Sequence, residues 1–260
     1  MTLFEHTRPI IGMVHLRPLP ESPGFDGDLN AIYSQAEADA RALLDAGVDA
    51  LIVENLGDEP YLIGEPTALQ VAAMANAAAR IRAMTDSPLG VNVQFNAWQA
   101  EIALAYAVQA QFVRVEVFVD TVISAQGMVQ PCSAQITRYR KQLGANVELW
   151  ADVQTKYTQN VLPQAITQSA VDAQTAGAAV LIVTGAATGQ ATPLEAVAEV
   201  KRAVRIPVVV GSGTTIENVS QVLQIADGAI VGSALKEGGR AENPVSAATA
   251  RAFMQAARAR

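Results

Sequence analysis

A chain of 260 residues, half of them hydrophobic and 17% charged, has the apolar content for a substantial core and the length that a single α/β barrel uses. Its formal charge of −7 argues against a nonspecific grip on phosphates of a nucleic acid, so no nucleic-acid partner is expected. One cysteine, Cys132, excludes an intrachain disulfide and any multi-cysteine metal site, and it reads as a small half-buried residue.

Eight short β-branched runs recur along the chain, each followed by helical spacing. They are "PIIGMVH" at 9–15, "ALIVEN" at 50–55, "LGVNV" at 89–93 and "FVRVEV" at 112–117, then "VELWAD" at 147–152, "AVLIVTG" at 179–185, "PVVVGSG" at 207–213 and "GAIVGS" at 228–233. Near-continuous apolar strands signal burial on both faces, as in a parallel sheet covered by helices. After the first strand, Ile32, Ala36, Ala40, Leu43 and Leu44 share a helical face, with Asp28 placed to cap the start and Gly47 to stop it. Eight strand–helix units match a (β/α)8 barrel, read here as one domain over 1–260, with a doubly wound open sheet as the alternative. Two connections, 16–28 and 56–67, are longer than a barrel needs and follow the C-terminal ends of strands, where lids and substrate-contacting walls are built. The start carries Glu5 and no long apolar run, and no apolar stretch reaches the roughly 18 residues of a membrane span, so a cytoplasmic protein without a transmembrane segment is expected.

Buried strands should be apolar, so polar residues at their C-terminal ends are the candidates for chemistry. His15 ends strand one; Glu54 and Asn55 end strand two, with Asp58 beyond; Asn92 lies on strand three, Arg114 and Glu116 on strand four, Asp152 on strand five and Thr184 on strand six. Glu54, Glu116 and Asp152 could share protons, since like charges held close raise one another's pKa. They could equally hold a divalent cation such as Mg2+, which prefers oxygen ligands. Other readings stay open: an ion pair of Arg114 with Glu116, a loop tie for Asp152, a satisfied core histidine for His15. Lys156 and Lys236 do not sit on strand ends, which disfavours a Schiff-base aldolase, and no serine has a nucleophile-elbow context.

Gly211, Ser212 and Gly213 follow strand seven, and Gly232 and Ser233 follow strand eight. Glycines there let backbone N–H groups face one concavity, and a helix starting near Ser233 would aim its dipole at the same spot. This pair of loops is the common phosphate site of barrels, and Gly185 and Gly189 of "VTGAATGQ" are further donors on a third side. A phosphorylated small molecule is the expected partner.

The stretches "PIIGMVHLRPLPESPGF", "DALIVENLGDEPY", "GVNVQFNAW", "ADVQTKY" and "LIVTGAATG", with the run from "VVVGSGTTIENV" to "GRAENPV", resemble the BtpA/SgcQ family over almost the whole chain. The resemblance implies a phosphate-binding TIM barrel, and it implies a tie to photosystem I biogenesis or to carbohydrate metabolism. The chain departs from that family's pattern where Gln154 and Tyr157 replace histidines, where Glu116 replaces asparagine, and at Phe95, Asn96 and Ala97. A more distant likeness to the α subunit of tryptophan synthase rests on Glu54 and its Pro-rich loop, on "TGAATG" and on the two glycine loops. By that analogy Glu54 is a general acid/base assisted by Glu65 or Asp58.

Two functions follow. One is an enzyme of lyase, aldolase or isomerase type with Glu54, Asp152, Glu116, His15 and Asn92 as catalytic residues, the glycine loops and Ser212 and Ser233 holding phosphate. The other is a non-catalytic factor associated with a membrane complex. Assembly as a homo-oligomer is compatible with both.

Overall fold

The β-branched runs pair in chain order and close on themselves. In the computed structural model, which describes Phe4 and residues 8–259, the barrel strands are β1 (Ile10–His15), β2 (Ala50–Glu54), β3 (Leu89–Asn92), β4 (Phe112–Val115), β7 (Glu148–Val153), β9 (Val180–Val183), β10 (Val208–Val210) and β11 (Gly228–Val231). All eight neighbouring pairs are parallel, β11 closing onto β1, and the helices α1 (Leu29–Ala46), α2 (Ala68–Arg82), α3 (Trp98–Val108), α4 (Ser133–Leu143), α5 (Ile166–Thr175), α6 (Leu194–Ala203), α7 (Val219–Ile225) and α8 (Ala247–Arg258) alternate with them. The expected (β/α)8 barrel is therefore present.

Side chains alternate between the two faces of a strand, so parity decides what enters the barrel. Ile11 and Met13, Ala50 and Ile52, Phe112, Trp150, Val180 and Ile182, Val209 and Ile230 fill the interior as one apolar cluster, while residues of the other parity pack under the helices. Phe112 stacks on Trp150 with ring centroids 4.0 Å apart. A Cβ at Gly90 would lie 2.1 Å from the Phe112 ring, so glycine at this β3 position is what lets the stack form. Continuing the same parity upward places His15, Glu54, Asn92, Arg114, Glu116, Asp152, Thr184, Gly211 and Gly232 in the top layer.

The first helix forms as its sequence requires. Asp28 accepts a hydrogen bond from the Ala31 amide at 3.0 Å, Gly47 ends the helix at φ 87°, and Ile32, Ala36, Ala40 and Leu43 are buried. Two expectations need correction. The short helix expected near Ser233 does begin there, but Ser233–Leu235 is a single 3-10 turn, too short to sum the useful dipole that was expected of it. Cys132 is fully buried rather than half-buried, and burial pushes its thiol pKa up. One element was not expected: β5 (Val122–Ser124), β6 (Gly127–Val129) and β8 (Gln159–Asn160) form a small antiparallel sheet in the loops after β4 and β7. No helix among the described residues is long and apolar enough to cross a membrane.

Candidate active site

Arg114 organises the mouth. The register sets Arg114 beside Trp150, so its guanidinium reaches one inward position further along β7, to Asp152. It donates from Nε to Oδ1 at 2.9 Å and from Nη2 to Oδ2 at 3.0 Å, and Thr155 Oγ1 donates to Oδ2 at 2.9 Å. On its other side Nη1 lies 3.9 Å from Glu54 Oε2. The alternative of an Arg114–Glu116 pair gives way to an Arg114–Asp152 fork, and the neighbouring carboxylates hold the guanidinium protonated against the pull of burial. Glu54, only 2% exposed, keeps Oε2 without a hydrogen-bond partner.

Glu116 sits one residue beyond β4 and is held by other groups: Asn92 Nδ2 donates to Oε1 at 2.7 Å and the Asn96 amide to Oε2 at 3.0 Å. Behind Asn92 lies Glu101, wholly buried on α3, accepting from Asn92 Nδ2 at 3.2 Å and the Val93 amide at 2.9 Å. Burial raises the pKa of Glu116 to about 7, with the Asp152 charge adding to it and the Asn92 bond opposing it. Burial and the charge of Glu116 push Glu101 up as well. Asn92 Oδ1 and Glu101 Oε2 have no partner. Glu101 lies on a helix, outside the strand-end pattern that points to the other polar residues of the mouth. Its signal was present: it falls one and two turns before Ala105 and Val108 on the buried face of α3.

His15 is pushed down to about 3, by burial first and by the nearby Lys236 charge second. The neutral ring donates from Nδ1 to the Ala241 carbonyl at 2.8 Å, leaving Nε2 as an acceptor. Lys236 itself is buried and spent on an ion pair with Asp39 of α1 at 3.2 Å. Lys156 is different: it borders the mouth, donates to Thr188 Oγ1 at 3.1 Å, and is pushed down by burial and by the charge of Arg114.

The glycine loops are both packing devices and a cleft. Ser212 Oγ accepts from the Gly185 amide at 2.7 Å, so that amide is already used and Gly185 is a spacer rather than a donor. A Cβ at Gly213, where φ is 68°, would stand 2.1 Å from the Gln190 carbonyl, and one at Gly232 would stand 2.9 Å from the His15 ring. Among the described residues the amides of Ser212, Gly213, Thr214, Gly232 and Ser233 have no protein acceptor. Thr214 adds a buried, unpartnered Oγ1. These groups border a narrow cleft that also touches His15, Glu54 and Arg114. Beyond Arg114 it meets a larger cavity of about 660 Å³, bordered by Asn92, Glu116, Asp152, Tyr61 and Phe95.

The cation expectation meets a donor set that does not fit it. No three His, Cys, Asp or Glu side chains among the described residues gather as a metal would need. Between Glu54 and Asp152 the positive charge is supplied by Arg114. The loop carboxylates suggested as helpers of Glu54 lie elsewhere. Asp58 accepts from the Leu19 amide at 2.7 Å and from Asn55 Nδ2 at 3.0 Å, stapling the two long loops together, and Glu65 is exposed. Of the positions that depart from the resembled pattern, Gln154 donates to the Gln164 carbonyl at 3.1 Å and Tyr157 Oη accepts from the Thr188 amide at 2.7 Å.

The model of the BtpA family matches residues 6–259. The chain belongs to the BtpA family. Relatives of this BtpA-family protein include an uncharacterised protein of Thermococcus kodakarensis, 37% identical over 96% of this chain and 95% of the relative. Another is the photosystem I biogenesis protein BtpA of Synechocystis, 34% identical over 97% and 89%. Among solved structures, a chain of tryptophan synthase from M. tuberculosis aligns with TM-score 0.64 at 18% identity over 98% of this chain and 97% of that one. Thiamine phosphate pyrophosphorylase from Pyrococcus furiosus aligns with TM-score 0.60 at 16% identity over 96% of each chain. At such identities these two show the BtpA-family fold and nothing more.

Proposed function

We propose that this protein is an enzyme of lyase, aldolase or isomerase type that acts on a phosphorylated small molecule by acid/base chemistry at the barrel mouth. The observation that carries this is a juxtaposition: Glu54, whose Oε2 faces the Arg114 charge but has no hydrogen-bond partner, borders the same cleft as the five unbonded amides of the glycine loops. Buried polar atoms left without partners ask for one the chain does not supply. The amides, with Thr214 Oγ1, meet phosphate oxygens. Glu54 moves the proton, and Arg114, locked in place by Asp152, stabilises negative charge that develops on a substrate oxygen without having to reorganise. Glu116, with its pKa near 7, is the second proton-transfer group, Asn92 positions it, and the Nε2 of His15 orients substrate as an acceptor. Support also comes from thiamine phosphate pyrophosphorylase, a fold neighbour named for a phosphorylated compound. A thermal-shift screen of sugar phosphates, followed by phosphorus NMR for turnover, tests the reading. Hits should stabilise wild type and Glu54→Gln alike, with turnover only in wild type. A screen in which no phosphorylated compound shifts the melting point refutes it.

A second reading, a stability factor for a membrane complex such as photosystem I, is favoured by the name of the Synechocystis relative. It is also favoured by the exposed Leu62, Ile123, Met128 and Leu162 around the small antiparallel sheet. Recovery of this chain on membranes, lost on Ile123→Ser/Met128→Ser, would support it.

A further inference from the structure

The larger cavity exceeds what a phosphate and one reacting carbon require. At about 660 Å³ it falls in the size range that buries drug-sized molecules. Leu56, Arg114, Lys156 and Thr188 border both it and the glycine-loop cleft, so the two adjoin. Its walls carry the aromatic rings of Tyr61, Phe95 and Tyr157 from three different loops. Its floor accepts hydrogen bonds. Asn92 Oδ1 is buried without a partner, and each Glu116 oxygen holds one N–H and has capacity for another. Of the cations at the border, Arg114 is forked onto both Asp152 oxygens and Lys156 donates one hydrogen bond to Thr188 Oγ1.

We infer that this chamber is a second subsite for the non-phosphate half of the substrate, and that this half is a ring bearing N–H or O–H donors. The inference rests on the proposed phosphate cleft for the other end of the molecule. A three-carbon phosphate fills the cleft and leaves Asn92 Oδ1 and the aromatic walls unmet. A sugar ring or a nitrogen heterocycle meets them: ring faces pack on Tyr61 and Phe95, and donors on the ring satisfy the acceptor floor. Sites that hydrogen-bond a substrate group discriminate strongly against analogues that lack it.

Calorimetric titration of the intact protein with inorganic phosphate, glycerol 3-phosphate, ribose 5-phosphate and adenosine 5′-monophosphate tests this, with ribose and adenosine as phosphate-free arms. At least one ring phosphate should bind tenfold or more tighter than glycerol 3-phosphate, and which one does so separates a sugar from a heterocycle. Tyr61→Ala, or Phe95→Leu as the second variant, should abolish that advantage and leave inorganic phosphate within twofold. Equal affinity for all the phosphates overturns the subsite and leaves the phosphate cleft standing. Binding of ribose or adenosine in a Tyr61-dependent way, with no phosphate effect, keeps the subsite and overturns the cleft. Binding of none of the probes overturns both.

Discussion

Replacing Asp152 by asparagine probes the fork at the centre of the mouth. The wild-type carboxylate accepts Nε at 2.9 Å, Nη2 at 3.0 Å and Thr155 Oγ1 at 2.9 Å. In Asp152→Asn one of the two oxygens becomes an amide NH2, a donor set against donors, and the Arg114 charge loses its full counter-ion. Breaking a buried pair from one side costs roughly 3–5 kcal/mol, because the remaining charge is left uncompensated. Here Glu54 stands 3.9 Å from the other end of the guanidinium and can take up the charge, which places the cost at the low end. A loss of about 3 kcal/mol lowers Tm by roughly 6–12 °C for a domain of this size. Scanning calorimetry at pH 7 measures it, and a drop below about 2 °C would refute the reasoning. Arg114→Met/Asp152→Leu removes both charges but strands Glu54, so it should recover less than half of the loss.

Glu116 and His15 predict opposite pH slopes. Glu116 ionises at 4.5 when unfolded but near 7 in the fold, so the native state holds an extra proton between those values and loses stability as pH rises through them. His15 gains its proton at 6.5 when unfolded but only near 3 in the fold, so stability falls as pH drops below 6.5. In Tm measured at about pH 5 and 6.5, Glu116→Gln should make Tm rise more steeply with pH than wild type. His15→Asn, which keeps a donor for the Ala241 carbonyl, should make it rise less, and identical slopes in all three proteins would count against both shifts. Gly213→Ala meets left-handed backbone and the Gln190 carbonyl, whereas Gly144→Ala, at φ 64°, meets open space. The first should cost about 3 kcal/mol and abolish phosphate binding, and the second about 1 kcal/mol with binding intact. Denaturant titration and calorimetry compare them, and equal costs would sink the loop-contact argument.

The barrel was legible because strands buried on both faces must be apolar throughout, and the chain shows eight such runs. The top layer was legible by parity: Glu54, Asn92 and Asp152 interrupt apolar alternation just where each strand ends. The small sheet was not, since strands of two or three residues with Ile123 and Met128 exposed carry no burial signal. Nor was the partner of Arg114, because Asp152 lies 38 residues away and only the strand register brings the two together. The Lys236–Asp39 pair had half a signal. Asp39 interrupts the apolar face of α1 between Ala36 and Leu43, but nothing in the sequence points to the cation that answers it.

The apolar cluster that includes the stacked rings of Phe112 and Trp150 fills the barrel below the mouth, so a ligand there has no passage through the interior. Under the proposed reaction, substrate and product would then share one doorway, and a product that keeps its phosphate would occupy the berth the next substrate needs. Inhibition by that product would be competitive, and turnover would wait on the clearing of the entrance.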